Sequence, residues 1–187
     1  MTAQPAKKAA KKSAKKAAKK AAHHHPSHDL RRAYEHLGRI ETLESALNPA
    51  AANSVSTLAA LAQQELASGH GKSSADLLRA AEHLSFAALA PEGADTRVSP
   101  DLKAAIAAEY DHLLRRAADH WSEPAPRHPA VASLYPATLK QAQTAFKSAA
   151  YRQALELARA AEALAHITRQ GPAKLPAPQR ATQRLAS

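Results

Sequence analysis

Beyond residue 28 the apolar positions recur at helical spacing, and no stretch shows the alternation of a half-buried strand. Caps and breakers cut the pattern into six predicted helices. The first runs over about 29–47 behind Ser27 and stops at Asn48-Pro49. The second spans about 50–68 and ends at Gly69 and Gly71; the third spans about 73–90 and stops at Pro91. PEGADTRV reads as a loop, after which Ser99 caps a fourth helix with Pro100 at its first position, running to Trp121. SEPAPRHPAVASLY reads as a Pro-rich linker, followed by helices over about 136–148 and 151–168. After Gly171-Pro172 the chain reads as disordered.

The helices repeat one another. Ser27-His28-Asp29-Leu30 recurs as Ser99-Pro100-Asp101-Leu102, and Tyr34-Glu35-His36-Leu37 as Tyr110-Asp111-His112-Leu113. Arg79-Ala80-Ala81-Glu82-His83-Leu84 recurs as Arg159-Ala160-Ala161-Glu162-Ala163-Leu164. Ser68 and Ser148 match at the offset of that last pair. Three motifs in the same order predict a tandem duplication of a three-helix unit, over about 29–90 and 99–168. Leu77, Leu78, Leu84 and Leu89 give the third helix an apolar face, as Leu155, Leu157, Leu164 and Ile167 do the sixth. About a quarter of the residues are alanine, so backbones can approach closely, but each helix buries little area alone. The expected fold is therefore all-α: a six-helix bundle in which two three-helix units share one core, with disordered basic tails at both ends.

Charge separates these parts. Residues 1–28 carry eight lysines and no acid, and residues 169–187 carry four basic residues and no acid. The intervening stretch has 14 Lys and Arg against 16 Asp and Glu, which leaves it at −2 of the total +10. Outside the first 20 residues arginine outnumbers lysine thirteen to five, so the all-lysine tail is not general composition. Lysine is a mobile, strongly hydrated point charge suited to many weak phosphate contacts. With no cysteine there is no disulfide framework and no thiolate ligand or nucleophile. No apolar run approaches the length of a membrane span, and no apolar segment follows the basic start as in a secretory signal. The cytoplasm is the expected compartment, with the nucleoid as the location if the tail binds DNA.

Lys7, Lys8, Lys11, Lys12, Lys15, Lys16, Lys19 and Lys20 form two i,i+4 rows whose like charges repel in a helix. With nothing large to bury, the segment is expected to be disordered alone. Phosphates would remove the repulsion and let helix form on contact. KKAAKKSAKKAAKKAA resembles the lysine- and alanine-rich tails of histone H1-like proteins and their bacterial counterparts. That resemblance implies sequence-independent binding to nucleic acid, DNA more than RNA, through these eight lysines. The remaining alternative is a solubilising tail or a hook for other acidic partners, which would leave the body as a helical interaction scaffold.

Other motifs carry less chemistry. His23, His24 and His25, with His28, could hold a transition metal only weakly, lacking supporting partners, and no metal or other cofactor is expected. Residues 145–167, AFKSAAYRQALELARAAEALAHI, resemble a tetratricopeptide-like helical hairpin. LAQQELASGHGKSSADLLRAAEHLSFAALA resembles a HEPN-type helical domain. The HEPN resemblance implies an Arg–His pair acting on RNA phosphate, and Arg31 with His36 or Arg115 with His120 have the spacing. In each, a second Arg follows where that family places a polar or acidic residue, and no catalytic residue is assigned. Glu109 and His112 have the i,i+3 spacing of a di-iron helix motif but no second copy exists. Four acid–His dipeptides point their members about 100° apart on a helix, so the members of each pair should not cooperate directly. The histidines are expected at the surface. Trp121 and Tyr135 read as plugs at helix ends rather than base-stacking platforms.

Overall fold

The computed structural model describes residues 26–91, 93–95, 97–121 and 128–168. These residues form six α-helices: α1 Pro26–Glu44, α2 Pro49–Ala67, α3 Gly71–Ala88, α4 Pro100–His120, α5 Pro129–Lys147 and α6 Tyr151–Thr168. No strand occurs among the described residues. The expected tails fall at residues 1–25 and 169–187, outside the described residues; α1 starts at Pro26, within the stretch assigned to the tail.

The bundle is built outward from α3 and α6, which pack on each other. Helices α1 and α2 pack on α3, while α4 and α5 pack on α6. Arg79 meets Glu162, His83 meets Glu156, and Gln153 donates to the carbonyl of Ala87. These contacts run in opposite directions along α3 and α6, so the two are antiparallel, and both carry fully buried alanines, Ala80 and Ala81 on α3 and Ala160 and Ala161 on α6. Small side chains at such an interface let helices approach closely. Leu58, Leu77 and Leu164 fill the space around it, each contributing about 1.5–3 kcal/mol on burial. On either side, α1 runs parallel to α3, as Asp29 beside Gly71 and His36 on Glu82 show, and α4 runs parallel to α6, as Arg116 on Glu162 and His120 against His166 show.

The duplication is visible in the turns. Between α2 and α3, the amides of Ser68, Gly69 and His70 donate to the carbonyls of Gln64, Leu66 and Glu65. Between α5 and α6, Ser148, Ala149 and Ala150 donate to Thr144, Phe146 and Ala145 in the same pattern. Gly69 has φ +79°, and Ala149 takes the same left-handed conformation at φ 60°. The loop joining the units ties down the second turn: Asp95 donates its amide to the Ala149 carbonyl and accepts from the Arg152 amide.

One recurrence is corrected. Tyr34 is 61% exposed whereas Tyr110 is 4% exposed, so the two tyrosines are not equivalent. Burial instead equates Ala33 with Tyr110, Arg39 with Arg116 and Ile40 with Ala117, one residue further along. Ser99 accepts from the Leu102 amide as a cap, while Ser27 lies inside α1, so these serines are not counterparts either. The first helix ends at Glu44, and Asn48 caps α2 by accepting from Ala51.

The expected Pro-rich linker is partly helix. Helix α5 begins at Pro129, where a missing amide costs nothing, and carries Pro136 in its interior. Pro136 is exposed, so its ring sits on the solvent side of α5. Burial of Val131 and Tyr135 holds the first two turns down. Tyr135 stacks on Trp121 with ring centroids 3.8 Å apart, closing the end of the core as expected. Leu89 is exposed at the end of α3, unlike Leu77 and Leu78.

Left-handed backbone costs an L-residue roughly 1–2 kcal/mol. Ala149→Gly is therefore expected to raise unfolding stability by about 1 kcal/mol, less the extra freedom glycine has when unfolded. Gly69→Ala is expected to lower it by a similar amount, although an added Cβ would have nothing within 4 Å. Urea unfolding of the two variants checks this.

Candidate functional site

The eight lysines read as phosphate-binding, Lys7, Lys8, Lys11, Lys12, Lys15, Lys16, Lys19 and Lys20, lie outside the described residues. The Arg–His spacings do not form joint sites. Arg31 pairs with Glu35 at 3.1 Å on the surface of α1, whereas His36 turns inward to Glu82. Arg115 donates to the Asp111 carbonyl, and His120 lies against His166. Glu109 and His112 are both exposed on α4.

What the structure does bring together is a set of glutamates, three buried and Glu156 half-buried, each holding at least one histidine. Glu82 on α3 hydrogen-bonds His36 and accepts from Arg39 Nη1 at 2.9 Å. Glu156 on α6 takes His83 from α3 at 2.8 Å and Arg159 at 2.8 Å. Glu162 on α6 takes Arg79 at 3.2 Å, Arg116 at 2.6 Å and His166 at 3.1 Å. Glu65 on α2 faces His70 at 3.2 Å and His128 at 3.1 Å. The expectation of surface histidines is thus corrected for these five. Their neighbours do diverge as expected: Glu82 points to α1 while His83 points to α6.

The electrostatics follow from this pairing. Burial pushes the Glu162 carboxyl up, but the hydrogen bond with His166 and the charges of Arg79 and Arg116 outweigh it, bringing the pKa to about 2. Burial likewise opposes ionisation of Glu82 and Glu156, and in each the histidine hydrogen bond and a neighbouring arginine win, lowering the pKa. A carboxylate cut off from water stays charged here only because it is multiply bonded.

The two halves diverge where they could have been alike. Asn48 and His128 occupy the same place before α2 and α5, and Glu65 and Ala145 the same place near the helix ends. In one position His128 reaches across to Glu65, and His70 closes on the same carboxylate. In the other, Asn48 caps its own helix and Ala145 offers no partner. The result is an open cleft of about 550 Å³ between α2 and α5, floored by Leu84 and Leu157 and edged by Lys140, Gln141 and Gln153.

The sequence carried a signal for part of this. Glu162 and His166 are spaced i,i+4 on one face of α6, and His120 ends α4, so the three could have been read as converging had the parallel packing of α4 on α6 been known. The Glu65 cluster needed the position of α5, which the linker reading displaced.

Replacing Glu162 with Gln should cost on the order of 3 kcal/mol at neutral pH, the low end for breaking a buried pair because Arg116 reaches solvent. Glu82, Glu156 and Glu162 ionise more readily folded than unfolded. Their contribution is complete above the unfolded value of 4.5 and fades as pH falls, for Glu162 towards about 2. Unfolding free energies of the two chains should therefore converge below pH 4.5; a constant gap would contradict the assignment. Neither family models, nor characterised proteins, nor solved structures match this chain.

Proposed function

We propose that this protein binds nucleic acid without sequence choice through its N-terminal lysines, DNA more than RNA, while the helical body joins protein partners or further copies. The observation that carries this reading is the segregation of charge: eight lysines and no acid in residues 1–28, against a net −2 for residues 29–168. The packing supports it. Arg39, Arg79, Arg116 and Arg159 are engaged by the body's own glutamates, so they do not add to a phosphate-binding face. Leu30 and Tyr34 stand exposed one turn apart on α1 and give the body an apolar contact surface. No helix among the described residues is long and apolar enough to cross a membrane.

Eight lysines meeting duplex phosphates give a log–log salt slope of roughly −7, at about −0.9 per contact. Titration of a DNA duplex across a salt series should show this steep dependence for the full chain. It should nearly vanish when all eight are changed to Gln. Binding retained by the Gln variant would place the site on the body. Absence of binding at low salt would leave a scaffold with a solubilising tail.

A further inference from the structure

Away from the tail, one group of ligating side chains converges from two helices. The donor atoms of His120, Glu162 and His166 all lie within 4.8 Å of one another. The imidazole rings of His120 and His166 sit 4.0 Å apart at their centroids. We propose that these three residues form a site for a divalent transition metal of the zinc class, clamping the last turn of α4 to the last two turns of α6.

Two imidazoles and one carboxylate suit zinc, which takes three protein ligands and leaves a fourth position for water. Tetrahedral bonds of about 2.0–2.1 Å place donor atoms about 3.4 Å apart. Glu162 Oε1 and His166 Nε2 already stand 3.1 Å apart, one turn from each other on α6. His120 needs only a small side-chain movement to complete the set, and it ends a helix held in place by the stacked Trp121 and Tyr135. Glu162 is 5% exposed, so its carboxylate is held in place by the packing around it. Arg79, on Oε2, orients the carboxylate as an outer partner of a ligating group does.

Arg116 is the competitor. Its Nη2 lies 2.6 Å from Oε1, the oxygen the ion would take, and its positive charge opposes a dication. Its side chain is 45% exposed, so it can swing into water as the ion enters. The site therefore works as an exchange of an arginine for a metal. That gives it a signature that an adventitious pair of histidines lacks: removing Arg116 tightens binding.

Cobalt(II) is the probe, because Trp121 follows His120 directly and is the chain's one tryptophan. The full chain is used with His23→Ala, His24→Ala, His25→Ala and His28→Ala, which silences the tail histidines. Cobalt should quench the tryptophan fluorescence, saturating at one equivalent, with visible bands of a four-coordinate ion; zinc should reverse both. His120→Ala, and separately His166→Ala, should weaken binding by more than about 100-fold, beyond the effect of losing an outer partner. Arg116→Met should strengthen it several-fold. His120 ends its helix and is half-buried, so its variant keeps the fold readable by circular dichroism even if His166→Ala does not fold. Quenching that survives His120→Ala, cobalt binding lost with the tail histidines alone, or unchanged affinity in Arg116→Met would each overturn the site.

Discussion

The packing of α3 on α6 governs the rest of the structure. Alanine at the contact brings the two backbones together, and each central helix is then wrapped by its own pair of outer helices. In a chain with 4% aromatic residues, no outer helix buries enough area to stand alone. Apolar burial is gained by surrounding two helices almost completely. The consequence is that polar residues on α3 and α6 go inside as well: Glu82 and Glu162 are buried and Glu156 is half-buried.

That forced burial explains the pairing. An unpaired carboxylate in this position would be costly, and each one draws a histidine and at least one arginine. The pairs add something that alanine faces cannot. A smooth alanine surface distinguishes poorly between registers, whereas sliding α3 along α6 by one residue would separate Arg79 from Glu162 and His83 from Glu156 together. Buried ion pairs often contribute little net stability; here they select one alignment of an otherwise permissive interface.

Much of the fold was legible because its signals are local. Helical periodicity, the Ser99-Pro100 start and the repeated Arg-Ala-Ala-Glu motif all lie within a few residues of each other, and the six helices and duplicated core follow from them. The start of α5 was not legible, because proline clusters signal breaks, and only the burial of Val131 and Tyr135 against distant helices overrides them. The Tyr34–Tyr110 match failed for a related reason. In low-complexity helices, letters can align one residue away from the faces that pack. The Glu82–His36, Glu156–His83 and Glu65–His128 pairs were hidden because each joins distant parts of the chain, and spacing along the chain carries no trace of which helices meet.

The proposed division between tail and body rests on the same pairing. A lysine tail has two polyanions to choose from, the protein's own acids and an external phosphate chain. The body's strongest carboxylates are the worst placed to compete, being buried and already bonded to arginine and histidine. What remains on its surface includes Glu41, Glu44, Asp101, Glu109 and Asp119, spread over α1 and α4, with Glu35 held by Arg31. Duplex DNA offers one charge about every 1.7 Å and releases condensed counterions on contact, a gain that a dispersed protein surface does not supply. Under that proposal, the body's internal neutralisation is what lets an external phosphate chain outcompete the body for the lysines.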